Sequence, residues 1–190
     1  MALPVGTQAP DFTLAATSLG SITLSEDLAE KSVILYFYPK DFTPGCTTEA
    51  CEFRDQFAAF RELDIPVFGI SRDNLATHEK FKKTHRLPFE LLADESGKVC
   101  KAYDALIPII KMPTRVTYLL DSQHKVVAVF DGFFENKAHV SAMLKQLNKE
   151  LSPFDTAILH HHLPVSHGGQ FLVVCDDHKR KLKGIPQLEK

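Results

Sequence analysis

Apolar positions change period several times along the chain. Val33-Ile34-Leu35-Tyr36-Phe37-Tyr38 is a continuous apolar, β-prone run, the pattern of a strand covered on both faces. From Cys46 the period lengthens. Cys46, Ala50, Phe53, Phe57 and Phe60 fall at steps of 4, 3, 4 and 3, which is one face of a helix. Residues 65–70 form a second short apolar run and predict another strand. Asp73 or Asn74 can cap a helix whose stripe is Leu75, His78, Phe81 and His85. Residues 89–92 read as a short strand and 96–103 as a short helix. Residues 115–120, the turn Asp121-Ser122-Gln123-His124 and residues 125–130 read as an antiparallel hairpin. Val140, Met143, Leu144 and Leu147 mark a closing helix. This order predicts a three-layer α/β sandwich around a mixed central sheet.

Such an arrangement is thioredoxin-like. The pattern weakens after position 150, where Pro153, Pro164, Gly168, Gly169, Gly184 and Pro186 punctuate a stretch holding five of the nine histidines. The expected division is a domain over 1–151 and a C-terminal extension over 152–190. With 22 basic and 24 acidic residues in 190, the net charge is −2. A near-neutral chain offers no broad attraction to nucleic acid or to an anionic membrane. No apolar stretch approaches the roughly 18–20 residues that span a bilayer. The first residues lack a basic region followed by an apolar run, so no secretory signal is expected. The expected location is therefore the cytoplasm, where the four cysteines stand reduced by default.

The chemistry concentrates after the first buried run, in Tyr38-Pro39-Lys40-Asp41-Phe42-Thr43-Pro44-Gly45-Cys46. Thr43 suits a helix N-cap and Pro44 the first helical position, which needs no N–H. Cys46 then occupies the third position. There the unpaired N–H groups and the helix dipole favour negative charge, so the thiolate is the expected reactive species. Thr43 is close enough to offer its hydroxyl to the sulfur or to a substrate. Open α/β sheets also bind ligands beyond the carboxyl ends of their strands. The competing assignment for Cys46 is a small buried hydrophobe on the apolar stripe.

Cys51 follows five residues later. On a regular helix that step gives about 7.5 Å of rise and about 500° of rotation, or roughly 8.7 Å between Cα atoms, beyond the ~7 Å limit for a disulfide. The two cysteines can bridge only if the first turns unwind. Cys51 lies off the apolar stripe, beside Arg54 and Asp55, and is expected to be less deeply packed. A helix cysteine without chemistry is its alternative. Cys100 is expected on a short surface helix as an inert thiol. Cys175 could be buried, free or an intermolecular partner. The gaps of 5, 49 and 75 positions between cysteines lack zinc spacing. The cluster His160-His161-His162 with His167 is weak evidence for a metal, so no metal or cofactor is expected. His78 and His85 read as boundary packing, and Lys179-Arg180-Lys181 as a solvated charge run.

Pro39-x-x-x-Thr43-x-x-Cys46 resembles the active-site signature of the peroxiredoxins. The longer Thr43-Pro44-Gly45-Cys46-Thr47-Thr48-Glu49-Ala50-Cys51-x-Phe53-Arg54-Asp55 resembles the bacterioferritin comigratory protein, or peroxiredoxin Q, subfamily. Gly69-Ile70-Ser71, Leu87-Pro88-Phe89, Leu91-Leu92-Ala93-Asp94, Gly97-Lys98-Val99 and Arg115-Val116-Thr117-Tyr118 continue the similarity over about residues 3–150. The resemblance implies a thiol peroxidase acting on hydrogen peroxide and organic hydroperoxides. Cys46 would become a sulfenic acid. Thr43 would hydrogen-bond thiolate and peroxide, Pro39 would shield them from water, and Arg115 would stabilise charge as the O–O bond breaks. Glu49 would orient Arg115. Cys51 would resolve the sulfenic acid as an intramolecular disulfide, reduced in turn by thioredoxin or a glutaredoxin-like donor. The resemblance also implies a monomer or weak dimer.

Two other functions compete. A thiol–disulfide oxidoreductase would use the same fold, but usually wants C-x-x-C at the helix start, where this chain has C-x-x-x-x-C. A redox-regulated binding protein would expose apolar surface on unwinding.

Overall fold

A computed structural model describes residues 2–131. The helix expected through Val140, Met143, Leu144 and Leu147, the boundary near 151 and the extension with Cys175 lie outside the described residues. Strands and helices alternate as β1 (Thr13–Ala16), β2 (Gly20–Thr23), α1 (Leu24–Asp27), β3 (Val33–Phe37), α2 (Pro44–Asp55), α3 (Phe57–Glu62) and β4 (Val67–Ser71). There follow α4 (Leu75–His85), β5 (Glu90–Ala93), α5 (Lys98–Ala102), β6 (Leu106–Ile107), β7 (Met112–Pro113), β8 (Val116–Leu120) and β9 (Val126–Asp131).

The larger sheet runs in the order β2-β1-β5-β4-β3-β8-β9, with β6 and β7 paired separately. Strand β3 pairs in parallel with β4, and β4 with β5. Its other neighbour, β8, is antiparallel and leads through the hairpin into β9. The sheet is therefore mixed, and β3 lies inside it with neighbours on both sides.

All five residues of β3 are buried, yet they divide between two cores by the period of 2. Leu35 and Phe37 point to one side, with Phe12, Ile70, Leu92, Tyr103 and Tyr118. Ile34 and Tyr36 point to the other, with Cys46, Phe53, Phe60, Phe81 and Leu91. The continuous apolar reading of this strand follows from that double cover.

One local expectation changes, one choice between candidates is decided, and one element is new. The stripe from Cys46 to Phe60 belongs to two helices rather than one, because the backbone turns at Gln56 (φ −104°, ψ 6°). The turn re-aims the chain and keeps Phe57, Phe60 and Leu63 against the same core. Of the two cap candidates for α4, Asn74 is used, its side chain accepting from the Thr77 N–H. The hairpin of β1 and β2 has no counterpart in the pattern reading, and its register, Leu14 opposite Ile22, sets it against β5 through Ala15 and Ala16.

Helix α2 is seated on the sheet by aromatic contact. Tyr36 stacks on Phe53 of α2 at 4.6 Å between centroids, and its ring crosses its register partner on β4, Gly69. A Cβ at Gly69 would lie 2.6 Å from Cζ and Oη of Tyr36 and 2.7 Å from Cδ2 of Leu91. The glycine here supplies space rather than an unusual backbone angle. Gly69→Ala is therefore expected to destabilise the fold by about 1–3 kcal/mol through overpacking. Urea denaturation checks it, and an unchanged midpoint would mean that Tyr36 moves aside at no cost.

Candidate active site

Strand β3 ends at Phe37, and the chain turns through Pro39 to Thr43 before α2 begins at Pro44. Thr43 holds the N-cap position with extended backbone (φ −82°, ψ 144°), Pro44 starts the helix, and the Thr43 carbonyl accepts from the Thr47 N–H at 2.9 Å. Cys46 sits in the first turn. Its thiol is free and only 1% exposed.

Arg115 reaches this sulfur from 69 positions away. It immediately precedes β8, whose first residue, Val116, lies opposite Phe37 at the end of β3. The antiparallel register thus carries Arg115 to the strand end that feeds α2. One guanidinium nitrogen, Nη2, donates to Cys46 Sγ at 3.4 Å, while Nη1 donates to Oε2 of Glu49. Glu49 stands one turn after Cys46 on the same helix. Cysteine, arginine and glutamate form one buried cluster, with Arg115 at 8% exposure and Glu49 at 1%.

Burial sets the proton affinity of the glutamate. It pushes the Glu49 carboxyl up to about 7, against the downward pull of the Arg115 charge and hydrogen bond. Tyr36, on the sheet beneath, is raised well above the usual phenol range by burial, with smaller upward contributions from Glu49, Asp41 and Cys46. Its hydroxyl has no hydrogen-bond partner among the described residues.

The other sequence-predicted residues fall into place unevenly. Pro39 is half-buried beside the site. The Thr43 hydroxyl donates to the Lys40 carbonyl at 3.0 Å and makes no helix-capping bond. Its proton is committed to the turn, and only its lone pairs remain for another partner. Cys51 is 3% exposed, against the expectation of looser packing, because α2 buries a face wide enough to include Cys46, Glu49, Ala50, Cys51 and Phe53. Cys46 is free, whereas Cys51 is disulfide-bonded but not to Cys46, and the helix between the two is continuous. Cys100 lies on α5 but faces the core. Its thiol is pushed far up, first by burial and then by the Asp94 carboxylate, which leaves it inert.

Sequence reasoning passed over Asp41 and misplaced His78. His78 is fully buried and pairs through Nδ1 with Oδ2 of Asp41 at 2.8 Å. It belongs to a polar network rather than to boundary packing. Partners 37 positions apart leave no local pattern, although an Asp inside the loop before Cys46 was itself a visible signal. Among the described residues, no group of three or more His, Cys, Asp or Glu side chains could hold a metal ion, and no helix is long and apolar enough to cross a membrane.

The raised Glu49 carboxyl makes stability depend on pH with a defined sign. A folded-state value of about 7 against roughly 4.3 in an unfolded chain means that the fold binds this proton more tightly. Its contribution is complete below about pH 4.3 and is lost as pH rises to about 7. Glu49→Gln removes that slope. The stability of the wild type relative to Glu49→Gln should therefore fall by up to roughly 3 kcal/mol between pH 4 and pH 8. Urea midpoints of both proteins at the two pH values measure it, and a gap independent of pH would contradict the assignment.

Comparison with known proteins places this geometry. The AhpC/TSA family profile matches residues 5–129. Peroxiredoxin Bcp of Bacillus subtilis is 48% identical over 162 residues, covering 80% of this chain and 99% of that protein. A chloroplastic peroxiredoxin Q of Oryza sativa subsp. japonica is 40% identical over 143 residues, and there the chain spans 65% of the relative's length and 75% of its own. The crystal structure of peroxidoxin BcpB from Mycobacterium tuberculosis superposes with a TM-score of 0.71 at 34% identity, over 76% of this chain and 96% of that one. With its thioredoxin-like mixed sheet, the chain belongs to the AhpC/TSA family, as a peroxiredoxin of the Bcp and peroxiredoxin Q kind.

Proposed function

We propose that the chain is a thiol peroxidase that reduces hydrogen peroxide and organic hydroperoxides. Cys46 attacks, Cys51 resolves, and thioredoxin or a glutaredoxin-like dithiol recycles the pair. The observation that carries this reading is the Arg115 guanidinium, which donates to Cys46 Sγ while Glu49 holds it from the side.

The steps follow from that arrangement. The Cys46 thiolate attacks the terminal oxygen of ROOH. The O–O bond breaks, a sulfenic acid forms, and the RO⁻ fragment leaves as ROH after taking a proton. Negative charge passes from sulfur towards the departing oxygen, and an arginine placed against the sulfur stabilises both ends of that shift. Half-buried Pro39 limits water at the sulfur, and the Thr43 oxygen offers its lone pairs to a peroxide O–H. Cys51, once reduced to its thiol from the disulfide it forms in this structure, then attacks the Cys46 sulfenic acid, forming the S–S bond and releasing water. A donor dithiol reduces that disulfide and is itself oxidised. Such recycling needs a reducing compartment, for which we propose the cytoplasm, and we propose a monomer or weak dimer.

Quenched-flow mass spectrometry of peroxide oxidation tests the assignment. Cys46→Ser should abolish peroxide loss. Cys51→Ser should complete one oxidation and lose cycling with a thioredoxin system. Arg115→Gln should slow the first step by about 10²-fold, the usual cost of losing one charge-stabilising donor. In the oxidised wild type, amide exchange across residues 46–55 should be faster than in the reduced protein. Wild-type protein that leaves peroxide intact with thioredoxin present would overturn the reading.

A further inference from the structure

Asp41 is a buried carboxylate that the peroxide chemistry does not use. It stands in the loop before α2, and neither its side chain nor that of His78 has exposed surface. Burying a charge is costly unless the charge is paired and hydrogen-bonded, and here every acceptor oxygen is engaged. Oδ1 accepts from the Tyr38 hydroxyl at 2.7 Å, and Oδ2 faces His78 Nδ1 at 2.8 Å. The Asp41 main-chain N–H donates to Oδ2 of Asp73 at 2.9 Å, and Asp73 accepts from the Ser71 hydroxyl at 2.7 Å. One loop residue is thereby tied to the end of β3, the end of β4 and the middle of α4.

The hydrogen bond at Nδ1 needs a proton between nitrogen and carboxylate, which the ring supplies. His78 Nε2 is buried with no hydrogen-bond partner among the described residues. Only one side of this imidazole is satisfied, so its placement is set by Asp41 and by packing. Immediately after Asp41 the chain enters the left-handed region at Phe42 (φ 59°). That residue is 41% exposed and rests its ring on Phe81 of α4. The anchored point and the strained turn are adjacent, five positions and four positions before Cys46.

We infer that His78, acting through Asp41, is a positioning residue that fixes the loop feeding Cys46 and sets the upstream limit of any unwinding of α2. Chain length permits that limit. Five extended residues reach roughly 17 Å, well beyond the roughly 8.7 Å between positions 46 and 51 on the intact helix. Residues 44–46 are helical, so extending them gives Cys46 room to move while Asp41 stays anchored. Without the His78 bond the loop loses its anchor. Cys46 then spends less time against Arg115, and the unwound arrangement gains population.

The test uses the full-length protein with His78→Leu, which removes the donor, and His78→Asn, which restores an N–H near the same place. Two measurements are made. Amide exchange of the reduced protein is followed across residues 42–52. Quenched-flow mass spectrometry, suited to a chain without tryptophan, follows Cys46 oxidation by hydrogen peroxide and then disulfide formation. His78→Leu should raise exchange in that segment about tenfold or more, with the central strands unchanged. It should slow Cys46 oxidation about tenfold or more, as misplacement of a reacting group does, without slowing disulfide formation. His78→Asn should restore most of both. If His78→Leu fails to fold because Asp41 is left as a lone buried charge, Asp41→Asn/His78→Leu is measured in its place with the same expected changes. A folded variant with wild-type exchange at 42–52 and a wild-type ratio of the two rates overturns the inference, as does a proportional fall in both rates. Only the rate arm rests on the peroxidase reading. Should wild-type Cys46 resist peroxide, that reading fails and the exchange arm alone decides the positioning role.

Discussion

Two cysteines five residues apart on one continuous helix cannot meet, and the organisation of this site follows from that constraint. Between Cys46 and Cys51 the helix imposes roughly 8.7 Å of Cα separation, so α2 has to exist in two forms if both sulfurs are used. The folded form presents Cys46 to Arg115. The unwound form would bring the sulfurs together. Every contact made by the first two turns of α2 therefore bears on both states, because whatever stabilises one opposes the other.

The contacts are distributed to suit that division. The second half of α2 is held by apolar packing, with Phe53 stacked on Tyr36 and adjacent to Phe60 and Phe89, and by Arg54, which donates to the His85 carbonyl at 3.0 Å. These contacts lie downstream of the segment that would move. The first half is held by a small number of directed polar contacts, in which Arg115 bridges Glu49 and Cys46. Directed bonds are lost over short displacements. Upstream, the Asp41 network ties the loop to β4 and α4. Firm attachments thus lie on either side of a polar, releasable turn.

Much of this was legible in the chain itself. The period-2 and period-3.6 segments predicted β3, α2, β4, α4 and the hairpin of β8 and β9, because each segment has its apolar cover on a defined face. Cys46 in the first turn of α2 followed from Thr43 and Pro44 alone. Other features depend on partners distant in sequence. His78 looked like one more member of an amphipathic stripe, since its acceptor is 37 positions away. The Thr43 hydroxyl was free to be assigned to the sulfur until the turn at Lys40 showed where its proton goes. The depth of Cys51 was misjudged because a stripe drawn from apolar residues omits Glu49, whose burial widens the covered face. The β1–β2 hairpin is short, and β1 gains its place from β5, 78 positions on, through Ala15 opposite Ala93.

Glu49 lies between the two cysteines, three residues after the first and two before the second. Any unwinding that brings Cys46 to Cys51 must carry this carboxyl out of its buried site and into water. There its proton affinity returns to that of an ordinary carboxylic acid, from a helical state in which burial had raised it. Such an unwinding would therefore also be an acid dissociation. It releases part of a proton to solvent, is favoured as pH climbs towards neutrality, and becomes indifferent to pH once the helical carboxyl is already ionised. A side chain that appears to serve only its arginine thus links the proton inventory of the protein to the folding state of its first helical turns.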